Sequence, residues 1–320
     1  MHSTGSLLLS SFLRLIRWKN LLISLVALLL IAYFGIGNAY RDSGLVALTP
    51  PFQLALLIIS VLFIMGAGYI INDLMDIETD IINCPDRVVI TKTISSKAAL
   101  WIYYSMTVIG VAFGAILAVL LNQISLLFIF PGAALSLYLY SYSFKKSFLA
   151  GNVIIASLTA IIMILPWIIE VHQIEQYPLM PPSIFNALMT SGLISLFFGS
   201  FAFITTLIRE WIKDLQDVKG DSLTGAKTMA ATKNLSYNLY AIKSASLITI
   251  ILILVFQVYL LFNDKIAAAV SLLAPMLLLG KVIFRLSQKN DTIDWKQLSD
   301  LLKWIMCMGI LSLLFFGIKL

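Results

Sequence analysis

An all-α, polytopic membrane protein is the fold class this sequence predicts, and three observations predict it. The chain of 320 residues is 60% hydrophobic and only 12% charged, about half the charged fraction of a soluble domain. Apolar runs of roughly 20 residues recur from end to end, the length a helix needs to cross a bilayer. Mean hydropathy is +0.96, and the short alternating segments of a membrane barrel are missing. Arg14, Arg17 and Lys19 precede the first long apolar run without a small-residue cleavage site, so no removable leader is expected. Cys84 and Cys307 lie far apart, which predicts neither a disulfide framework nor a zinc site.

Nine transmembrane helices are expected, at about 20–37, 49–71, 98–121, 124–141, 152–169, 186–208, 240–262, 266–284 and 302–318. Pro50, Pro51, Pro181 and Pro182 follow polar breaks and mark helix starts, where proline removes no needed donor. Of the 22 Lys and Arg, 19 fall on alternate connections; only Arg41, Lys265 and Lys319 fall on the other side. The positive-inside rule therefore puts the N-terminus in the cytoplasm. It also explains the net charge of +6 without a nucleic-acid partner.

The chain turns acidic at two places, both on that basic side. After the second span, Gly68–Arg87 reads GYIINDLMDIETDIINCPDR. Asn72, Asp76 and Asp80 are four apart and Asp73 is three before Asp76, so a helix brings them to one face, about 6 Å apart along its axis. After the sixth span, Glu210, Asp214, Asp217 and Asp221 are spaced 4, 3, 4, with Arg209 and Lys213 beside them. Gly220 and Gly225 mark the end of that helix. The offset of four spans suggests two four-helix units plus a ninth helix. The chain is then one membrane domain over 1–320 with parallel pseudo-repeat halves at about 14–146 and 147–290.

Carboxylates near membrane depth are costly and tend to face a cavity or a ligand. Either acidic stretch alone reads equally as a solvated loop. Together, with oxygen donors only, they suit two Mg²⁺ ions bridging a diphosphate. Arg87, Lys146, Arg209 and Lys213 are candidate donors to that anion, Tyr142 stands four before Lys146, and the Asn20 amide opens the first span.

The residues resemble a known family, the UbiA superfamily of intramembrane prenyltransferases. Asn72, Asp73, Asp76 and Asp80 match its NDxxDxxxD signature, and Asn83, Pro85 and Arg87 its N-x-P-x-R continuation. Tyr142 and Lys146 resemble its YxxxK element, Gly151–Asn152 the start of its fifth helix, and RLIRWKN the start of its first. Glu210, Asp214, Asp217 and Asp221 resemble its second acidic motif. Cys84 stands where many relatives have lysine, and Glu210 where some have aspartate.

The resemblance implies nine helices around a central cavity, and Mg²⁺-dependent transfer of an isoprenyl group from its diphosphate to a hydrophobic acceptor. It implies Asp73, Asp76, Asp80, Asp214, Asp217 and Asp221 as metal ligands, with Asn72, Asp76 and Asp217 central to catalysis. Asn20, Asn72, Arg87, Tyr142, Lys146, Arg209, Glu210 and Lys213 would bind substrate. The motif context looks closest to a geranylgeranylglycerol-phosphate geranylgeranyltransferase; an aromatic quinone precursor or a porphyrin is the alternative acceptor. The implied setting is the inner or plasma membrane of a prokaryote, among membrane lipids. A transporter is the competing class, but the acids lie at one membrane face and not at the midplane. A CDP-alcohol phosphotransferase would need a DG-x-x-AR signature, which this sequence lacks.

Overall fold

The computed structural model describes residues 2–83, 88–174, 181–223, 225–288 and 293–318; for residues 2–5, 79, 82–83 and 219–223 only the backbone is described. Among the described residues the secondary structure is helical, apart from one isolated bridge between Ile90 and Ile94. Among the described residues eight helices are long and apolar enough to cross a membrane, and Ser6–Leu15 and Leu126–Tyr142 are shorter apolar helices. Large apolar side chains such as Val119, Phe128 and Trp101 are exposed along them, as lipid-facing residues are. The chain is an integral membrane protein.

A helix not expected from the sequence comes first, α1 (His2–Leu15). α2 (Trp18–Asp42) contains a π-helical stretch at Ile31–Ile36. α3 (Pro51–Met75) and the short α4 (Ile77–Asn83) follow, then α5 (Ser96–Leu120) and α6 (Leu126–Tyr142). The second part holds α7 (Ala150–Ile174), α8 (Pro182–Leu223), the single turn α9 (Met229–Thr232) and α10 (Leu235–Phe262). α11 (Ile266–Arg285) and α12 (Trp295–Gly317) complete it.

Helix starts follow the chemistry of the preceding loop. α3 begins with Pro51 at its first position. α5, α10 and α12 follow basic connections and carry side-chain caps: Ser95 accepts from the Ala98 N–H, Asn234 from Tyr237, and Asp294 from Gln297. Each cap satisfies an amide that the helix itself cannot.

The chain divides into two compact units, Met1–Val26 with Thr49–Lys145, and Ala27–Leu48 with Lys146–Leu320. In the first, small residues let helices approach closely, the usual solution where lipid removes the hydrophobic drive. A Cβ on Gly110 would lie 2.8 Å from Ile64, and one on Gly114 only 2.3 Å from the buried Phe130. The Ser60 hydroxyl donates to the Gly110 carbonyl at 2.7 Å. The loop after the acidic stretch folds back at Thr91, and its Ile90 and Ile94 pack with Leu15, Ile70 and Ala99.

In the second unit α8 is central. Its Phe197, Phe198 and Phe201 cluster with Phe256 and Phe316, Phe197 stacking on Phe256 at 3.7 Å. Trp167 donates its indole N–H to the Leu188 carbonyl. At the end far from the acids, Lys265 pairs with Asp42 at 2.5 Å and donates to the Phe316 carbonyl. The buried Glu170 accepts from the Leu48 N–H at 2.9 Å.

Two local expectations are corrected. The helix carrying the first acidic stretch is not continuous, because it breaks at Asp76, whose φ of −98° and ψ of 6° leave the helical region. Gly220 does not end its helix; α8 continues to Leu223, and Gly225, with φ +72°, makes the turn. Glycine costs an established helix only about 1 kcal/mol, whereas a left-handed backbone favours it strongly.

Gly114→Val should overpack the contact with Phe130 and lower stability by about 1–3 kcal/mol. Thermal unfolding of the detergent-solubilised protein checks this; an unchanged midpoint would refute the close approach.

Candidate active site

The first acidic set forms within the first unit where α3 ends. The amide N–H of Asp76 still bonds the Asn72 carbonyl at 3.0 Å and that of Asp80 the Asp76 carbonyl at 2.8 Å, so helical bonds reach the break from both sides. The Asn72 side-chain amide donates to Asp76 Oδ2 at 2.9 Å. The Lys145 ammonium makes a short contact with the same oxygen. Asp76 is only 8% exposed, and a buried carboxylate is costly without such partners.

Asp73 is held by Arg17, Nη2 to Oδ1 at 2.8 Å. Arg17 joins α1 to α2 with φ +50°, a left-handed backbone that costs a non-glycine residue on the order of 1 kcal/mol. Its guanidinium lies 4.9 Å from the centre of the Tyr69 ring, and the Tyr69 hydroxyl accepts from the Asn20 amide at 3.2 Å. Asn20 therefore reaches the site through Tyr69. Burial, and then the charge of Asp76, push the Asp80 carboxyl above the usual carboxylate range. Three acids crowd one helix end, and two have cations on them.

The second set forms within the second unit on α8. Ile208, Ile212 and Leu215 are spaced 4, 3 and are buried in the core. Glu210, Asp214 and Asp217 have the same spacing two residues on, so they project from another face. Exposure rises along them, from buried Glu210 through half-buried Asp214 to exposed Asp217. Glu210 Oε1 accepts from Arg209 Nη1 at 3.0 Å and from Lys213 Nζ at 2.7 Å. Asn152, near the start of α7, donates from Nδ2 to Asp214 Oδ2 at 2.8 Å. Beyond Gly225 the chain is tied back by two backbone bonds, Lys227 N–H to the Lys146 carbonyl at 2.8 Å and Met229 N–H to the Phe148 carbonyl at 3.1 Å. The Lys233 ammonium lies 5.9 Å from the Phe148 ring.

Of the residues expected from the sequence, Asn72 and Asp76 are bonded to each other, Asp80 lies within their electrostatic reach, and Arg209, Glu210 and Lys213 form one cluster. Tyr142 is exposed and stacks on Tyr138, and the Lys146 side chain is exposed. Arg87 lies outside the described residues, as does the side chain of Asp221. Sequence reasoning missed Lys145. Counting four from Tyr142 leads to Lys146, but α6 ends at Tyr142 and Phe144–Lys146 is a 3₁₀ turn, where the α-helical period no longer applies. Arg17 was read as a topology charge, and Asn152 only as a helix start.

Comparison with known proteins agrees with this architecture. The chain is 26% identical over 314 residues to a digeranylgeranylglyceryl phosphate synthase of Methanobrevibacter smithii, covering 95% of this chain and 96% of that protein. A solved structure of digeranylgeranylglyceryl phosphate synthase superposes with a TM-score of 0.64 at 22% identity, covering 98% of this chain and 99% of the other. A UbiA homologue from Archaeoglobus fulgidus, solved with GPP and Mg²⁺, superposes with a TM-score of 0.57 at 17% identity, covering 96% and 99%. These identities show the shared fold. The model of the UbiA prenyltransferase family matches residues 28–307, and this protein belongs to that family.

Proposed function

We propose that this chain transfers a geranylgeranyl group from its diphosphate to the free hydroxyl of geranylgeranylglyceryl phosphate, at the cytoplasmic face of a prokaryotic plasma membrane. The observation that carries the reading is the nearly end-to-end similarity to the M. smithii synthase. The crowding of 19 of 22 basic residues on one side supports the orientation.

Donor chemistry decides whether Mg²⁺ suits these residues. Among the described residues no three acidic, His or Cys side chains converge into a ready-made metal cage. Mg²⁺ is usually held by one or two carboxylates plus water and substrate phosphate, not by a protein cage. Asp73, Asp76 and Asp80 in one unit, and Asp214 and Asp217 in the other, offer oxygen alone. The residues fit, with Asp221 included on its sequence position. Bound there, Mg²⁺ would neutralise the diphosphate as it leaves.

The chain's own residues would do the rest. Arg17 and Lys145 already stand at Asp73 and Asp76 and can donate to phosphate oxygens; Arg209 and Lys213 can do the same from Glu210. Asn72 fixes the orientation of Asp76. The bond from prenyl C1 to the diphosphate oxygen breaks, and its electron pair leaves with the diphosphate. The acceptor hydroxyl oxygen bonds C1, and its proton passes to a carboxylate or to the departing diphosphate. The apolar helices keep water from the cationic carbon.

Asp76→Asn and Asp217→Asn should each lower turnover by ~10²–10³-fold, read by mass analysis of digeranylgeranylglyceryl phosphate made by purified protein from geranylgeranyl diphosphate and geranylgeranylglyceryl phosphate. Near-normal product from both variants would sink the two-set account, and no product from the unaltered chain would sink the acceptor. Lys145→Ala should cost ~10–100-fold in kcat/KM, and Lys146→Ala clearly less. Equal losses would overturn the preference for Lys145 over Lys146, and an unchanged Lys145→Ala variant would remove its ion pair with Asp76 from turnover.

A further inference from the structure

We infer that Asn152 is a positioning residue for Asp214, the counterpart in the second unit of Asn72 beside Asp76. The inference rests on the proposed role of these carboxylates in holding a divalent cation, and deepens it. In the first unit a carboxamide donates to Asp76 Oδ2 at 2.9 Å from one turn away on the same helix. In the second, a carboxamide donates to Asp214 Oδ2 at 2.8 Å from a different helix, 62 residues earlier. The local route to one carboxylate is thus matched by a long-range route to the other.

A carboxamide is well suited to this work. It has N–H donors but no charge, so it fixes one carboxylate oxygen and leaves the anionic charge available to a cation. An ammonium in the same place would orient and neutralise together. The fixed oxygen, Oδ2, sets where Oδ1 points. Such outer partners of metal-binding side chains typically control affinity by 10–100-fold.

The surroundings hold Asn152 to this task. Its side chain is 8% exposed, and it sits two residues into α7. The chain just before α7 is bonded to the chain after α8 by the two backbone bonds from Lys227 and Met229 to Lys146 and Phe148. The segment leading into α7 and the segment that follows α8 are therefore tied together by main chain, and Asn152 and Asp214 bond across the two helices that these segments flank.

The test is Mn²⁺ binding by the full-length protein in detergent, followed by electron paramagnetic resonance of the free ion. Asn152→Leu keeps the side-chain volume and removes the donor; it should weaken Mn²⁺ binding by ~10–100-fold with the unfolding midpoint unchanged, and excess Mg²⁺ should restore turnover. In an Asp214→Ala background the same substitution should change Mn²⁺ binding no further. Asn152→Ser is the second variant, with the same expectation should the leucine variant not be recovered folded. Unchanged Mn²⁺ binding in a folded variant overturns the role of Asn152 alone. So does a lowered midpoint without a binding change, or an equal loss in the Asp214→Ala background. An unaltered chain that binds no Mn²⁺ overturns the metal reading from which the inference starts.

Discussion

Carboxylates at the polar ends of apolar helices are the constraint on which the rest of this structure depends. A charge there is expensive unless something of opposite sign or a good donor stands beside it. Asp73 has Arg17, Asp76 has Lys145 and Asn72, Glu210 has Arg209 and Lys213, and Asp214 has Asn152. Much of the irregular backbone follows from supplying those partners. The left-handed turn at Arg17 brings a guanidinium to Asp73, and the break at Asp76 sits where an amide and an ammonium meet on one oxygen.

The two units meet the same need in different ways. The first draws partners from the junction of its first helices and from the 3₁₀ turn after α6. The second draws partners from the same turn of α8 and also reaches outside it, to Asn152. That long-range bond is accompanied by main-chain ties between the neighbouring segments. A local ion pair forms wherever its helix forms, whereas a distant one needs its frame held.

Much of this was legible in the sequence because its signals are periodic or additive. Helix count came from apolar length, orientation from summed basic charge, and the two acidic sets from spacing along a helix. Asn72 and Asp76 were readable as a pair because they are one turn apart. Partners distant in sequence were not readable. Nothing local to Asn152 announces Asp214, and nothing local to Arg17 announces Asp73. Lys145 was hidden by a different cause, a counting rule carried past the helix that justified it. The buried Glu170, at the far end of α7, belongs with the distant pairs: it accepts from the Leu48 N–H, 122 residues earlier, and nothing local announces that contact.

The unbroken run of α8 from Pro182 to Leu223 fixes a depth. At 1.5 Å per residue, the helix from Pro182 to Glu210 is about 42 Å long, against about 30 Å of hydrocarbon and roughly 40–45 Å with headgroups. Set across a bilayer from Pro182, a helix of that length brings Glu210 to the level of the lipid headgroups and Asp214 and Asp217 above it. On the proposed function, a prenyl diphosphate and a phosphoglyceryl lipid would carry their anionic heads at that height, and sideways diffusion in one leaflet would be enough to deliver both.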